Sequence, residues 1–411
     1  MKQDQLPRKT RAHLRALCTE ITDRSVGSQG NREATGYFRD QLKFQGWQVE
    51  ETPLEVMDWK SDGASLQCGG KEFEVNSSPY SLGCNVQGEL AAVSSLKQLQ
   101  EKDLKGKIVI LHHGIAREQI MPKNFVFYNP EEHQQIIAAL EKSGVAAIIS
   151  ATGHNPALAG GAYPFPMFED GDFDIPSVFM KDTEGARLLE SVGKTVYLES
   201  RAKRIPETAF NVLGRKPGKE KQRIVITAHI DAKQGSPGAI DNATGVTVLL
   251  LLAELLEEYR GKYPLELVGF NGEDYYAVPG QMKYIEQNHG SFADILLNIN
   301  IDGAGYKEGG SSFSPFGLTG DMKGMLDKVI RAHPAISEGA PWYQGDHSIF
   351  VQSGCPAIAV TSKWFLENME SQNITHTPKD NLGIINETRL VEIAAAIQEF
   401  VLELNGVKPS N

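Results

Sequence analysis

Thr227-Ala-His-Ile-Asp-Ala-Lys233, followed by Pro237-Gly-Ala-Ile-Asp-Asn-Ala-Thr-Gly245, decides the reading of this chain. His229 closes the apolar run Arg223-Ile-Val-Ile-Thr227, which predicts a buried strand. Asp241 stands just before Gly245-Val-Thr-Val-Leu-Leu-Leu-Leu-Ala-Glu-Leu-Leu256, whose length and apolarity predict a helix. A strand, a short loop and a helix predict an α/β sheet. Such folds collect their chemistry at the carboxyl ends of the strands. Imidazole and carboxylate are also donors that zinc accepts.

The same arrangement recurs along the chain. Leu265-Glu-Leu-Val-Gly-Phe270 predicts a strand that runs into Asn271-Gly-Glu273-Asp274. Ile295-Leu-Leu-Asn-Ile-Asn-Ile301 predicts another, ending at Asp302. Ile374-Thr-His376-Thr-Pro-Lys-Asp380 places a histidine in a loop ahead of a final helix. The carboxylates of Asp241, Glu273, Asp274 and Asp302 and the imidazoles of His229 and His376 can thus meet at one sheet edge. Five such groups can hold two zinc ions, with one carboxylate shared, and the sixth can serve as a base.

These motifs resemble the co-catalytic zinc exopeptidases typified by bacterial leucine aminopeptidases. Glutamate carboxypeptidase II, glutaminyl cyclase and the transferrin receptor share that fold. The resemblance covers roughly residues 5–55 and 206–405. It implies a three-layer α/β/α domain with a mixed, mostly parallel sheet, and two Zn2+ ions, a donor set that also accepts Co2+ or Mn2+. It assigns His229 and Asp302 to one ion, Asp274 and His376 to the other, and Asp241 to both, with a cis peptide between Asp241 and Asn242. Glu273 becomes the general base and Asp231 the carboxylate that orients His229. The implied activity is hydrolysis of N-terminal residues from peptides by water activated between the two ions.

The chain departs from the family pattern in three places. Asp274 stands where the family usually has a second glutamate, so the backbone there must come closer to the metal. The turn Tyr275-Tyr-Ala-Val-Pro-Gly-Gln281 is one residue longer than usual. A tyrosine often lies four residues before an Asp-His pair, and Tyr343 ahead of Asp346-His347 approximates that spacing. The Asp-His pair reads equally well as a cap for the helix after it.

Residues 56–205 interrupt the pattern with β/α units of their own. Lys107-Ile-Val-Ile-Leu-His-His113, Val145-Ala-Ala-Ile-Ile-Ser150 and Ser177-Val-Phe-Met180 predict strands. Asn129 to Gly144 predicts a helix with Asn129 as its cap. Lys105-Gly-Lys-Ile-Val-Ile110 and Ile175-Pro-Ser-Val178 resemble pieces of a protease-associated domain. The implied organisation is a discontinuous peptidase domain, 1–55 and 206–411, carrying that insert at 56–205. The glycine- and serine-rich stretch from Gly303 to Gly320 predicts a mobile loop over the site.

Bulk composition narrows the function classes. At 411 residues, 41% hydrophobic and 23% charged, the chain is globular and large enough for two domains. A formal net charge of −11 and the lack of any basic run argue against nucleic acid. No apolar stretch has the length of a membrane span. The opening residues lack the apolar core of a signal peptide, so the expectation is a cytoplasmic protein, or a secreted one if a leader has been removed. Cys18, Cys68, Cys84 and Cys355 form no metal-type spacing, and a Cys68–Cys84 disulfide stays open. The seven remaining histidines, His112-His113 included, read as structural: adjacent strand residues point to opposite faces.

The end of the substrate that is gripped can also be read. A carboxypeptidase needs a fork-shaped donor for a terminal carboxylate, and arginine supplies it best. Segments 229–245, 271–283, 300–310, 342–350 and 373–380 hold Lys233, Lys283, Lys307 and Lys379 but no arginine. They hold spare acids, Glu308 and Asp346, suited to a protonated amine. The balance favours an aminopeptidase over a carboxypeptidase, a cyclase-like acyl-transfer enzyme or a non-catalytic receptor.

Overall fold

The computed structural model describes residues 5–125, 128–154 and 159–406. The chain divides into two compact units. The first comprises residues 1–55, 208–369 and 375–411, and the second residues 56–207 and 370–374. Residues 370–374 lie inside the stretch that sequence assigns to the peptidase domain, yet they group with the second unit.

The first unit is built on Arg223–His229, flanked by Leu265–Phe270 and Ile295–Ile301, both parallel to it. Ala357–Ser362 continues the parallel set beyond Ile295–Ile301. All four strands are buried along nearly their whole length, as expected of parallel strands covered on both faces. The register puts Phe270 beside His229 and Asn300 beside Thr227, so three strand ends come level. Helix Thr244–Leu255 is apolar on every side and its residues from Thr244 to Glu254 are buried. It packs among Leu6–Arg15, Gln29–Phe44 and Glu387–Leu404. His347–Gln352 packs against Ile295–Ile301 and Ala357–Ser362, and its Phe350 meets Tyr284 of helix Pro279–Gln287. Caps set the helix starts: Ser28 Oγ accepts the Asn31 N–H and Thr319 Oγ1 accepts the Met322 N–H.

One expectation fails here. Ser311–Phe316, inside the stretch read as a mobile loop, is a strand, antiparallel to Ala357–Ser362 and parallel to Ile336–Glu338. Its serines are small enough to be buried in the sheet, and Phe313 enters the core. Glycine and serine content signalled a loop, whereas packing decided for a strand.

In the second unit, Cys84–Val93, Ile108–Leu111, Ala147–Thr152 and Ser177–Lys181 lie side by side and parallel. The period of two is clean: Ile108 and Ile110 enter one core, Val109 and Leu111 the other. Helix Glu131–Ser143 has Pro130 at its cap position, not Asn129. The Asn129 amide instead bonds the Pro122 carbonyl. Cys68 and Cys84 are free thiols, so no disulfide joins them. Among the described residues, no helix is long and apolar enough to cross a membrane.

Candidate metal centre

The five residues read as ligands, with Glu273, come together at the carboxyl ends of the first unit's strands. His229 ends Arg223–His229 and is buried. Asp302 directly follows Ile295–Ile301. Glu273 and Asp274 lie on the turn after Leu265–Phe270. Asp241 is presented by the loop ahead of Thr244–Leu255, and its peptide bond to Asn242 is cis. His376 reaches the group from a left-handed backbone conformation, φ 63°.

The two oxygens of Asp241 face different histidines. Its Oδ1 lies 3.2 Å from His229 Nε2 and its Oδ2 lies 3.2 Å from His376 Nε2. His229 Nε2 is also 3.6 Å from Asp302 Oδ1, and His376 Nε2 is 3.1 Å from Asp274 Oδ1. Two donor sets therefore share one carboxylate. His229 Nε2 and Asp274 Oδ2 are buried without a hydrogen-bond partner, which in a folded interior calls for a ligand. His229, Asp241 and Asp274 offer ligand atoms that all lie within 4.8 Å of one another. The donor types and their orphaned atoms fit zinc-class ions.

Electrostatics tell the same story. Burial opposes a charge on His229, but Asp231, Asp241 and Asp302 outweigh it and hold its imidazole well above the usual range. Burial likewise opposes charge on His376, and Asp274 with Asp241 overrides it. Burial would raise Asp241, yet the two histidines pull it well below the carboxylate range. Burial raises Asp302 despite His229. The cluster demands positive charge, and protons on the two histidines supply it where cations would.

Glu273 Oε2 is 4.0 Å from His229 Nε2. Burial, together with Asp302, Asp274 and Asp346, raises its carboxyl well above the usual range against the pull of His229. Asp231 meets the His229 ring through its main-chain carbonyl and not through the carboxylate expected to orient it, which serves the neighbouring turn. Its carboxylate accepts the Gly272 N–H at 2.8 Å and the Asp274 N–H at 3.0 Å. That fixes the backbone on both sides of Glu273. The His229 Nδ1 is nearer the Asp231 carbonyl, 3.2 Å, than its carboxylate, 3.7 Å. Asn242 pins the loop, donating to the Ile301 carbonyl at 2.8 Å and accepting the Gly245 N–H at 2.9 Å.

The more distant candidates divide. Tyr343 is 65% exposed and its ring packs on Phe316. Asp346 is buried, takes the Gln281 amide at 2.5 Å, and makes no side-chain cap to the helix it precedes. Burial pushes it up to about 7 despite the pull of His229. His347 donates from Nε2 to the Trp342 carbonyl at 2.7 Å, and burial lowers it to about 4. It packs among Trp342 and Phe316 rather than in the metal cluster.

Two residues that sequence left without a role hold the loop of Asp241. The carboxylate of Asp380 accepts the Ile240 N–H at 2.6 Å and the Asp241 N–H at 3.2 Å. Arg24, 2% exposed, donates to the carbonyls of Ile230, Leu17, Pro237 and Gly238. Asp380 closes the His376 word, so spacing hinted at it. Nothing local marks Arg24.

Residues 211–401 match the sequence model of peptidase family M28. The chain is 20% identical over 362 residues to "probable leucine aminopeptidase 2" of Aspergillus oryzae, covering 87% of this chain and 64% of that protein. It is 24% identical over 329 residues to "Probable lipoprotein aminopeptidase LpqL" of Mycobacterium tuberculosis, covering 77% and 61%. It thus spans somewhat under two thirds of these relatives' lengths. Its fold is similar to that of a zinc aminopeptidase from Bacillus subtilis, with TM-score 0.75 at 20% identity, covering 98% of this chain and 95% of the other.

Proposed function

We propose that the chain, whose residues 211–401 match the model of peptidase family M28, is a metal-dependent aminopeptidase of that family working with two zinc ions. The carrying observation is the placement of Asp241, with one oxygen toward His229 and the other toward His376. In this reading His229 and Asp302 hold one ion, His376 and Asp274 the other, and Asp241 both. When bound, a pair of such ions lowers the pKa of water toward about 7 and polarises the scissile carbonyl. Glu273 takes the proton from that water and hands it to the leaving amine. Its raised affinity for protons, caused first by burial, suits that transfer. Asp231 and Asp380 hold the ligand-bearing turns in place.

The spare acids Glu308 and Asp346, which serve neither ion in this reading, favour a substrate that brings a protonated N-terminus. Arg24 is the arginine beside the Asp241 loop, and four of its five N–H donors are spent on carbonyls, leaving no fork for a terminal carboxylate. That counts against the carboxypeptidase reading. The second unit, residues 56–207 with 370–374, we read as a protease-associated insert that governs access or substrate length.

Glu273→Gln tests the proposal. The variant keeps the side chain's shape and loses the base. It should retain the wild-type metal content while turnover of an aminoacyl chromophore falls about 10²–10⁴-fold. Near-wild-type turnover would remove Glu273 from its role. Offering one peptide with its N-terminus free or acetylated, and with its C-terminus free or amidated, tests the polarity. Cleavage that survives acetylation but not amidation overturns the aminopeptidase reading.

A further inference from the structure

Three parallel strands of the second unit, Ile108–Leu111, Ala147–Thr152 and Ser177–Lys181, end side by side. The residues just past those ends are His112 and His113, then Gly153 and His154, then Asp182. A cavity of about 510 Å³ opens among them, lined by all five. That is the size of a ligand site, and carboxyl ends of parallel strands are where α/β units bind ligands.

The geometry of His112 and His113 is not that of a strand. The strand stops at Leu111, His112 stays extended, and His113 turns into the left-handed region at φ 54°. A left-handed conformation is strained for a residue that carries a Cβ. Its effect is to cancel the alternation that would send the two rings to opposite faces. The rings instead approach to 4.7 Å at an angle of 70°, and their Nδ1 atoms meet. In the same cavity Asp182 Oδ1 is oriented by the Tyr163 hydroxyl at 2.9 Å and the Thr183 N–H at 2.8 Å. The His154 ring stacks on Tyr163 at 4.1 Å. Two imidazole nitrogens that converge on one shared hydrogen bond at the mouth of this cavity form a donor pair whose proton a transition metal can replace.

We propose that the second unit carries its own site for an imidazole-preferring divalent cation, held by Nδ1 of His112 and Nδ1 of His113. His154 and Asp182, both exposed on the cavity, complete it by side-chain rotation. This site shares no residue with the His229 cluster, so it neither needs nor supports the reading of that cluster.

The test uses the full chain dialysed to equilibrium against zinc at about 10 μM, a level moderate imidazole sites fill. Metal is counted by mass spectrometry in wild type and in His112→Gln/His113→Gln. Wild type should hold one ion more per chain, with equal peptidase activity in both proteins. Asp182→Asn should weaken the extra site about 10-fold. A second measurement needs no variant. Histidine acylation of the wild-type chain, read by peptide mass spectrometry with and without zinc, should show His112 and His113 protected by the ion. Equal metal counts in the two proteins, or acylation of His112 and His113 indifferent to zinc, would overturn the site. Loss of metal from the His229 cluster alone would speak against the proposed peptidase function and leave this site standing.

Discussion

Asp380→Asn should separate ligand holding from ligand identity. Asp380 is completely buried and binds no proposed ion, yet both its oxygens grip the backbone that presents Asp241. Asparagine fits the same volume. Its oxygen can keep the Ile240 N–H, but its NH2 then confronts the Asp241 N–H, donor against donor. One bond to a charged acceptor, worth about 1.5–3 kcal/mol, is lost with a buried N–H left unpaired. The other bond becomes neutral and gives up roughly 1 kcal/mol more. Unfolding free energy should therefore fall by about 2–4 kcal/mol. Supporting partners of metal ligands typically change affinity about 10–100-fold, and zinc affinity should fall within that range. Chemical denaturation of the metal-free protein above pH 8, where Asp380 is ionised, gives the first number. Competition for zinc against a chromophoric chelator gives the second. A folded variant whose zinc affinity stays within about twofold of wild type would refute the idea that Asp380 positions Asp241.

Three further outcomes follow from the same geometry. Asp241→Asn should cost more bound metal, by elemental analysis, than the corresponding change at Asp274 or Asp302, because Asp241 alone faces both histidines. Without metal, burial raises Asp380 and Asp346 to about 7, and the surrounding carboxylates lift His229 and His376 against the effect of burial. Groups raised on folding give stability that is complete below their unfolded values, near 4 for the carboxyls and 6.5 for the imidazoles, and lose it as pH rises through the folded ones. The metal-free melting temperature should thus fall between pH 5.5 and 8 and the zinc-loaded one much less; a metal-free rise across that interval contradicts the assignment. Arg24→Met strips four carbonyls of a charged donor and should destabilise the chain by about 3–5 kcal/mol in denaturant titration, with zinc affinity falling in step.

The central strands and their terminal residues were legible because each obeys a local rule: an apolar run, then a polar residue where a sheet ends. Arg223–His229, Leu265–Phe270 and Ile295–Ile301 have the boundaries their apolar runs suggest. What escaped depends on partners far along the chain. Ser311–Phe316 is a strand because Ala357–Ser362 is there to receive it. Asp346 invited a capping role, and tertiary packing buried it against Gln281 instead. His112 and His113 obey strand alternation in sequence and break it through one backbone angle. Arg24 acts on residues more than two hundred positions away, beyond any motif.

The span of those contacts bears on how the chain folds in time. The bonds that shape the loop of Asp241 close sequence separations of 139 residues at Asp380 and 214 at Arg24. Loop-closure entropy makes such contacts expensive until most of the chain has docked. The cluster is therefore among the last things to exist on the folding route and among the first to be lost on the way out. An ion that binds there stabilises the native state and leaves the folding transition state almost untouched. Zinc would act on this chain as a latch that slows unfolding, with little influence on how fast the chain first folds.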